Sequence, residues 1–433
     1  MLNYFKSKRQ NFFTGHLGGS VLLLGKFVTV QVVVQAIGFV SGLLIIRFMS
    51  QKEYAYYTIA NAMQGTMNLL ADMGIGIGIS AIGGRVWQNR FQLGQVMQTA
   101  ISLRKKLVLG ATLAVIPFFF YFLLHQGASV FYSLLLILIV LGSLMAQLSA
   151  SVLIAVPRFY AQVSRLQRLD LITSITKMML IAALCLFLMN SATALFVGSL
   201  TLALPLMLIR PWAKESADLH APVNPAFRHE MTEIIKSQAP NAFFYCMQGQ
   251  ITILLISFFG RAQSVAEIGA LGRLAVVFSI IGSVMGSIVV PRFARCQDRK
   301  TVAKRFLQIS LLALMLSLVI VCFAIIFTSQ CLWLLGPKYQ HLHTEFILCV
   351  INAVSAFFIG TLWSLNSARA WIYKSWLNIP ATLLMQIVLI PFIDLSKVHD
   401  VLIFGILSQA PSLLVNFFLS YRGYHNEFLR IYE

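Results

Sequence analysis

Asn61, Gln64, Asn68 and Asp72 recur every three or four positions through the stretch TIANAMQGTMNLLADMGIG, residues 58–76. Amide side chains donate and accept hydrogen bonds at once, so they can exchange partners with a hydroxyl-rich ligand. A carboxylate among them can take up a proton or Na⁺, or serve as counter-ion to a neighbouring cation. At about 100° per residue, Tyr54, Tyr57, Asn61, Gln64, Gly65, Asn68, Asp72 and Gly76 share one helix face. The surrounding residues are apolar enough to cross a bilayer, where an unpaired polar group costs kilocalories, so this face must look onto protein or water. Similar stripes are formed by Gln31, Gln35, Gly38 and Gly42, by Asn241, Tyr245, Gln248 and Thr252, by Arg273, Ser283 and Ser287, and by Gly405, Gln409, Ser412, Asn416 and Ser420. Helix packing through small and polar residues is the competing explanation, above all for the first and last of these stripes. Five tyrosine and amide positions with a carboxylate exceed what close packing needs, and the expectation is a hydrophilic cleft.

Cations inside apolar runs complete the candidate site. Lys177 stands two turns into its run, on the face that carries Asp170, Thr173 and Ser174, and Arg273 stands a turn and a half into another. Both suit an anion held in a wet cavity. Lys26, Arg47 and Arg261 lie nearer the ends of their runs, where snorkelling or interfacial anchoring competes with anion binding.

The elements that must position these groups follow from composition. With 433 residues, 58% hydrophobic, 11% charged and a mean hydropathy of +0.81, the chain has too few charges to coat a soluble surface. It reads as an all-α integral membrane protein of about twelve spans, beginning near Gly25, Ala55, Leu107, Val130, Leu171 and Ala192, then Gln238, Ile268, Phe306, Phe346, Ser375 and Val401. The formal charge of +19 invites a nucleic-acid reading, but 25 of the 33 Lys and Arg fall on one set of connecting segments and 5 on the other. That bias places both termini in the cytoplasm and makes the basic charge a matter of topology. No nucleic acid is implied.

Twelve spans divide into an N-lobe, residues 1–209, a Pro-containing cytoplasmic linker, 210–237, and a C-lobe, 238–433. A gapless shift of 214 lays Arg47 on Arg261, Ser50 on Ser264 and Glu53 on Glu267, which suggests two pseudo-symmetric six-helix bundles. The first residues, MLNYFKSKRQNFF, suit the inner leaflet, and the first apolar run reads as a retained helix. The longest external loop is 18 residues, TSQCLWLLGPKYQHLHTE, too short for a catalytic domain. His341 and His343 within it lack a third partner for a metal, and the six Cys show no metal or disulfide spacing. A membrane-embedded glycan polymerase or glycosyltransferase, which needs clustered carboxylates or a sizeable external loop, is disfavoured, and a purely structural scaffold does not explain charges kept within spans. The chain reads as no enzyme.

RFMSQKEYAYYTIANAMQGTMNLLADMGIG resembles the first external turn and second helix of polysaccharide flippases of the MOP superfamily. WLLGPKYQHLHTEFILCVINAV is similar to the Leu-Gly-Pro-x-Tyr element before their tenth helix. Ala55 stands where that family usually has Gly, and Met49-Ser50 replaces its usual Leu-Gly. Twelve spans fit the Wzx-type O-antigen and capsule flippases better than lipid II flippases, which usually carry fourteen. The resemblance implies an inner-membrane carrier in bacteria that moves an undecaprenyl-diphosphate-linked oligosaccharide to the periplasmic leaflet by alternating access. It implies sugar contacts from Gln31, Gln35, Asn61, Gln64, Asn68, Asn241, Tyr245 and Gln248, and diphosphate contacts from Arg273, Lys177, Lys26, Arg47 and Arg261. Asp72 is then an ion-coupling group or a counter-ion. No cofactor is expected; the membrane potential, H⁺ or Na⁺ are the candidate energy sources. The lipid bilayer, and candidate partners in the polymerase and chain-length regulator of the pathway, complete the expectation. A multidrug exporter of the same superfamily should carry an acidic cavity for organic cations, whereas Asp72 is the one carboxylate well inside a span.

Overall fold

A computed structural model describes residues 17–160, 162–185, 189–274, 281–282, 285, 289–294, 296 and 298–429. Among them the chain is helical throughout, with turns between helices and no strand. Its main helices are α1 (Leu17–Phe48), α2 (Gln51–Asp72), α3 (Arg90–His125), α4 (Val130–Leu153), α5 (Val163–Cys185), α6 (Ser191–Ser216), α7 (Pro225–Phe259), α8 (Ala262–Leu274), α9 (Arg299–Ile326), α10 (His343–Ala368), α11 (Asn378–Leu389), α12 (Val398–Ser408) and α13 (Ala410–Leu429). Among the described residues 9 helices are long and apolar enough to cross a membrane, and up to 10 with the bent pair that α2 forms with residues 75–86. The protein is a multi-pass membrane protein. Of the remaining expected spans, α5 is present but diluted by Arg165, Arg168, Asp170 and Lys177, and the continuation of α8 lies outside the described residues, as do Ser283 and Ser287.

Short polar residues start many of these helices. Ser50, Asn89, Ser129, Asn190, Asn224 and Asp298 each accept a hydrogen bond from a backbone N–H of the first turn that has no intrahelical partner. α2 stops where Met73 and Gly74 take left-handed φ values of 28° and 96°. The chain then re-forms as helix Ile75–Gly78, a π-helical turn over Ile79–Gly83 and helix Gly84–Val86, with a bend of 41°.

The expected linker over 210–237 is mostly helix: α6 runs on to Ser216 and α7 starts at Pro225, leaving only residues 217–224 between them. Pro225 opens its helix, where the missing N–H costs nothing, and Pro211 lies within α6. The expected 18-residue external loop is likewise structured, with a helix over Thr328–Leu335 and a 3₁₀ turn over Pro337–Tyr339.

α1 packs on α5, α2 on α3, and α4 on α6, while α9 and α12 pack on α10 and α11 on α13. The two halves meet where α2 contacts α7 and α8. Ile45, Tyr54, Met67, Ile256, Leu271 and Phe404 belong to one buried apolar core, so at the end of the bundle where α1 turns into α2 the halves are continuous. At the opposite, basic end the buried cores are separate. One gathers Ile75, Leu93, Met97, Ile209 and Met231; the other gathers Phe293, Val302, Leu365 and Trp371. Among the described residues the buried core is therefore continuous at the turn end and falls into two clusters at the basic end.

Glu53, in the first turn of α2, ties three helices at the turn end. Its Oε2 accepts from Ser191 N at 2.8 Å, Ser191 Oγ at 2.6 Å and Tyr132 Oη at 2.7 Å. Hydrogen bonds to an ionised group contribute about 1.5–3 kcal/mol each. Glu53→Ala leaves two hydroxyls and an amide without their acceptor, and a loss of about 3 kcal/mol of stability is expected from thermal unfolding in detergent.

Candidate functional site

The polar stripe of α2 divides its contacts among several neighbours. Gln64 Nε2 donates to Ser143 Oγ at 2.5 Å and Asn68 Nδ2 to Gln147 Oε1 at 3.4 Å, both on α4. Asn61 Nδ2 turns back onto the Tyr57 carbonyl of its own helix at 2.7 Å. Asp72 Oδ1 lies 3.6 Å from Arg104 Nη1; the Arg104 side chain is 7% exposed, and its Nε has no hydrogen-bond partner. The expected single cleft along α2 is thus partly a packing seam against α4. All four residues keep part of their surface open, and the carboxylate side chain is 46% exposed.

The junction of the halves holds the cations. Arg273, from α8, lies with its guanidinium carbon 5.7 Å from the Tyr57 ring centroid, a cation–π geometry. Tyr54 and Tyr57 both act electrostatically on the guanidinium, and Gly42 of α1 presents bare backbone to its side chain. Tyr54 Oη donates to the Gly269 carbonyl at 3.2 Å, which fixes the ring against α8. Lys177 of α5, half-buried, acts electrostatically on the same Tyr57 phenol. Arg273 and Lys177, from opposite halves, thus both act electrostatically on Tyr57.

The second half encloses a cavity of about 560 Å³ between α7, α10, α11, α12 and α13. Gln248 and Gln386 exchange reciprocal amide bonds of 3.1 and 2.8 Å at its wall. Asn378 Nδ2 donates to Tyr245 Oη at 3.2 Å and its Oδ1 accepts from Ser412 Oγ at 2.7 Å, while Gln409 Nε2 donates to Asn352 Oδ1 at 2.5 Å. Phe244, Tyr245 and Trp363 supply aromatic surface, and among the described residues the lining contains no charged side chain. Gln409 Oε1 and Ser408 Oγ are buried there without a hydrogen-bond partner.

The remaining sequence candidates scatter. Gln31 and Gln35 are half-buried on α1, and Asn241 is exposed on α7, outside the cavity lining. Arg47 stacks on Trp333 with 4.7 Å to the ring and donates to the Trp333 and Leu334 carbonyls at 2.7 and 3.0 Å. Lys338 answers it, donating to the carbonyls of Arg47 and Met49 at 3.3 and 2.8 Å. Arg47 thus works as a clasp between the halves at the turn end. Arg261 is exposed at that same end, and the side chain of Lys26 lies outside the described residues.

Two groups of site residues escape a hydropathy scan. Arg104 looks like part of a basic connecting segment, yet α3 is 36 residues long and buries it opposite Asp72. Asn352, Ala356, Ile359, Trp363 and Asn366 on α10, with Asn378, Thr382 and Gln386 on α11, are stripes at helical spacing that the sequence does display.

No protein-family model matches the chain, and no curated protein matches it by sequence. Solved structures do match. An inward-facing multidrug-resistance MATE transporter of the MOP superfamily superposes with a TM-score of 0.67 at 14% identity, covering 90% of this chain and 94% of that one. The lipid II flippase MurJ, in an inward closed conformation, gives 0.67 at 11% identity over 92% and 88%. A MOP-superfamily transporter from Pyrococcus furiosus, described as having a binding pocket of reversed polarity, gives 0.60 at 13% identity over 93% and 95%. Across nearly its whole length, the chain has the fold of the MOP-superfamily transporters.

Proposed function

We propose that the protein is a MOP-type transporter that flips a lipid-linked oligosaccharide across the membrane by alternating access, with its basic end in the cytoplasm. The observation that carries this reading is the cavity lined by Tyr245, Gln248, Asn352, Asn378 and Gln409, uncharged among the described residues. Moving a sugar hydroxyl into hydrocarbon without a partner costs roughly 4–8 kcal/mol, so several hydroxyls together forbid unaided crossing. Amides that already trade bonds with one another can trade them for sugar hydroxyls at little net cost, and aromatic faces cover the apolar ring surface. Arg273 and Lys177, at the junction of the halves, suit a diphosphate linking sugar to lipid. A diphosphate near charge −2 leaving a negative-inside cell gains about 2.3 kcal/mol per charge per 100 mV, so the membrane potential alone can drive export. Asp72 serves as the counter-ion of Arg104. The division of the buried cores at the basic end supports entry from that side, while the clasp at the turn end closes the other.

A multidrug transporter is the second reading, since this fold also occurs in that class. An organic cation needs an acidic cavity, and the lining here holds no carboxylate.

Reconstitution into lipid vesicles tests the proposal. A polyprenyl-diphosphate-linked oligosaccharide loaded in the inner leaflet should become accessible to an external lectin in the presence of the protein, and Gln248→Leu with Gln386→Leu should slow its appearance about tenfold. Equal rates in protein-free vesicles would dismiss the flippase reading.

A further inference from the structure

A second polar cavity, of about 600 Å³, sits at the basic end, between the last turn of α10, the 369–377 connection and the last turns of α13. It is separate from the cavity described above and is built quite differently. Arg369 is held by Glu427 and donates to the carbonyls of Ala294 and Cys296, and Trp371 Nε1 donates to Glu427 Oε2 at 2.7 Å. A Cβ on Gly423 would collide with the Trp371 ring, so α13 has to present glycine there for the indole to seat. Ala370, between these two anchored side chains, takes a left-handed φ of 57°, a conformation that costs a non-glycine residue energy and persists where its surroundings enforce it.

This frame positions two further cations. Lys374 and Arg422 line the cavity, half-buried, and neither makes a hydrogen bond or ion pair among the described residues. Glu427 is already matched by Arg369, so among the described residues the cavity carries two uncompensated positive charges. Tyr373 in its lining is 86% exposed, and Trp376 and Tyr421, close in sequence to Lys374 and Arg422, are 61% and 75% exposed. Tyrosine and tryptophan beside Lys and Arg at the end of a helix bundle mark the headgroup level of a bilayer. The cations therefore meet phosphate at the depth where lipid headgroups lie, and the volume admits a headgroup with its glycerol.

We propose that this cavity binds the phosphodiester headgroup of an anionic phospholipid, with Lys374 and Arg422 as its anion contacts and Tyr373 and Trp376 as its membrane-level flank. The site belongs to the resting protein and does not depend on translocation. Native mass spectrometry of the purified full chain tests it. Phosphatidylglycerol is expected to remain bound under activation that strips phosphatidylcholine, and Lys374→Gln with Arg422→Gln to lower its retention about tenfold. Lys397→Gln, at the opposite end of the bundle, should retain the lipid like the unaltered chain. Glycerol phosphate, offered at millimolar concentration as the soluble source of the same chemistry, should neither bind nor compete. Equal retention of phosphatidylcholine, unchanged retention in a folded Lys374→Gln/Arg422→Gln variant, or displacement by glycerol phosphate would each overturn the assignment. Should the double variant fail to fold, the comparison of phosphatidylglycerol with phosphatidylcholine on the unaltered chain still decides it.

Discussion

Arg273→Ala should slow lipid-linked oligosaccharide translocation in vesicles about a hundredfold while leaving folded protein in the membrane. The guanidinium is a planar, multivalent donor at the junction of the halves, and it already sits against the Tyr57 ring. A hydrogen bond to a charged group contributes about 1.5–3 kcal/mol, and two such bonds to a diphosphate, at about 1.4 kcal/mol per decade, give that factor. Arg273→Lys keeps the charge but not the fork or the stacking on Tyr57, so it should fall between, about tenfold slower. Lys177→Ala should be slowed less than Arg273→Ala, because its ammonium acts on Tyr57 more weakly than Arg273 does and stacks on neither ring. If Arg273→Ala and Lys177→Ala both translocate at the unaltered rate, the diphosphate does not pass through this junction.

Gly269→Ala is expected to be among the most damaging single-methyl changes in the bundle. α8 crosses α2 so closely here that a Cβ would overlap Oγ1 and Cγ2 of Thr58, and Thr58 is buried and pinned by its hydroxyl bond to the Tyr54 carbonyl at 2.8 Å. A β-branched side chain has one free torsion and no flexible tip to swing aside, so the helices must separate. Overpacking of this kind costs about 1–3 kcal/mol. Separation also lengthens the Tyr54–Gly269 bond, which holds the Arg273 platform, so activity should fall together with the unfolding temperature. Adding Thr58→Ala to Gly269→Ala removes the two overlapping atoms and should restore both readouts. A double variant no better than the single one would show that the damage comes from somewhere other than this crossing.

The reach of the sequence can be judged from particular residues. Length and hydropathy are additive along the chain, so the long apolar helices announce themselves, whereas α5, with its Arg, Asp and Lys, takes its place from packing against α1. The segment 210–237 looks like a linker because its prolines break helices in most contexts. Here Pro225 occupies a helix start and Pro211 is absorbed within α6. The α2 stripe is legible as a polar face, but which neighbour it meets is a property of three dimensions: Gln64 and Asn68 find Ser143 and Gln147. Arg104 shows the same limit from the other side, since three consecutive basic residues suggest an interface and helix rotation alone buries the first of them. Tyr245, Gln248 and Gln409 do share one cavity, and the amides of α10 and α11 that complete it carry a periodicity as plain as theirs.

The reciprocal contacts of Arg47 and Lys338 have a consequence for how the two halves part at the turn end. Each cation grips neutral peptide oxygens of the opposite half, so parting them separates no opposite charges, and water can take over every bond as it breaks. The barrier to opening is then set by lost apolar contact and the Trp333 stack, and should barely respond to ionic strength.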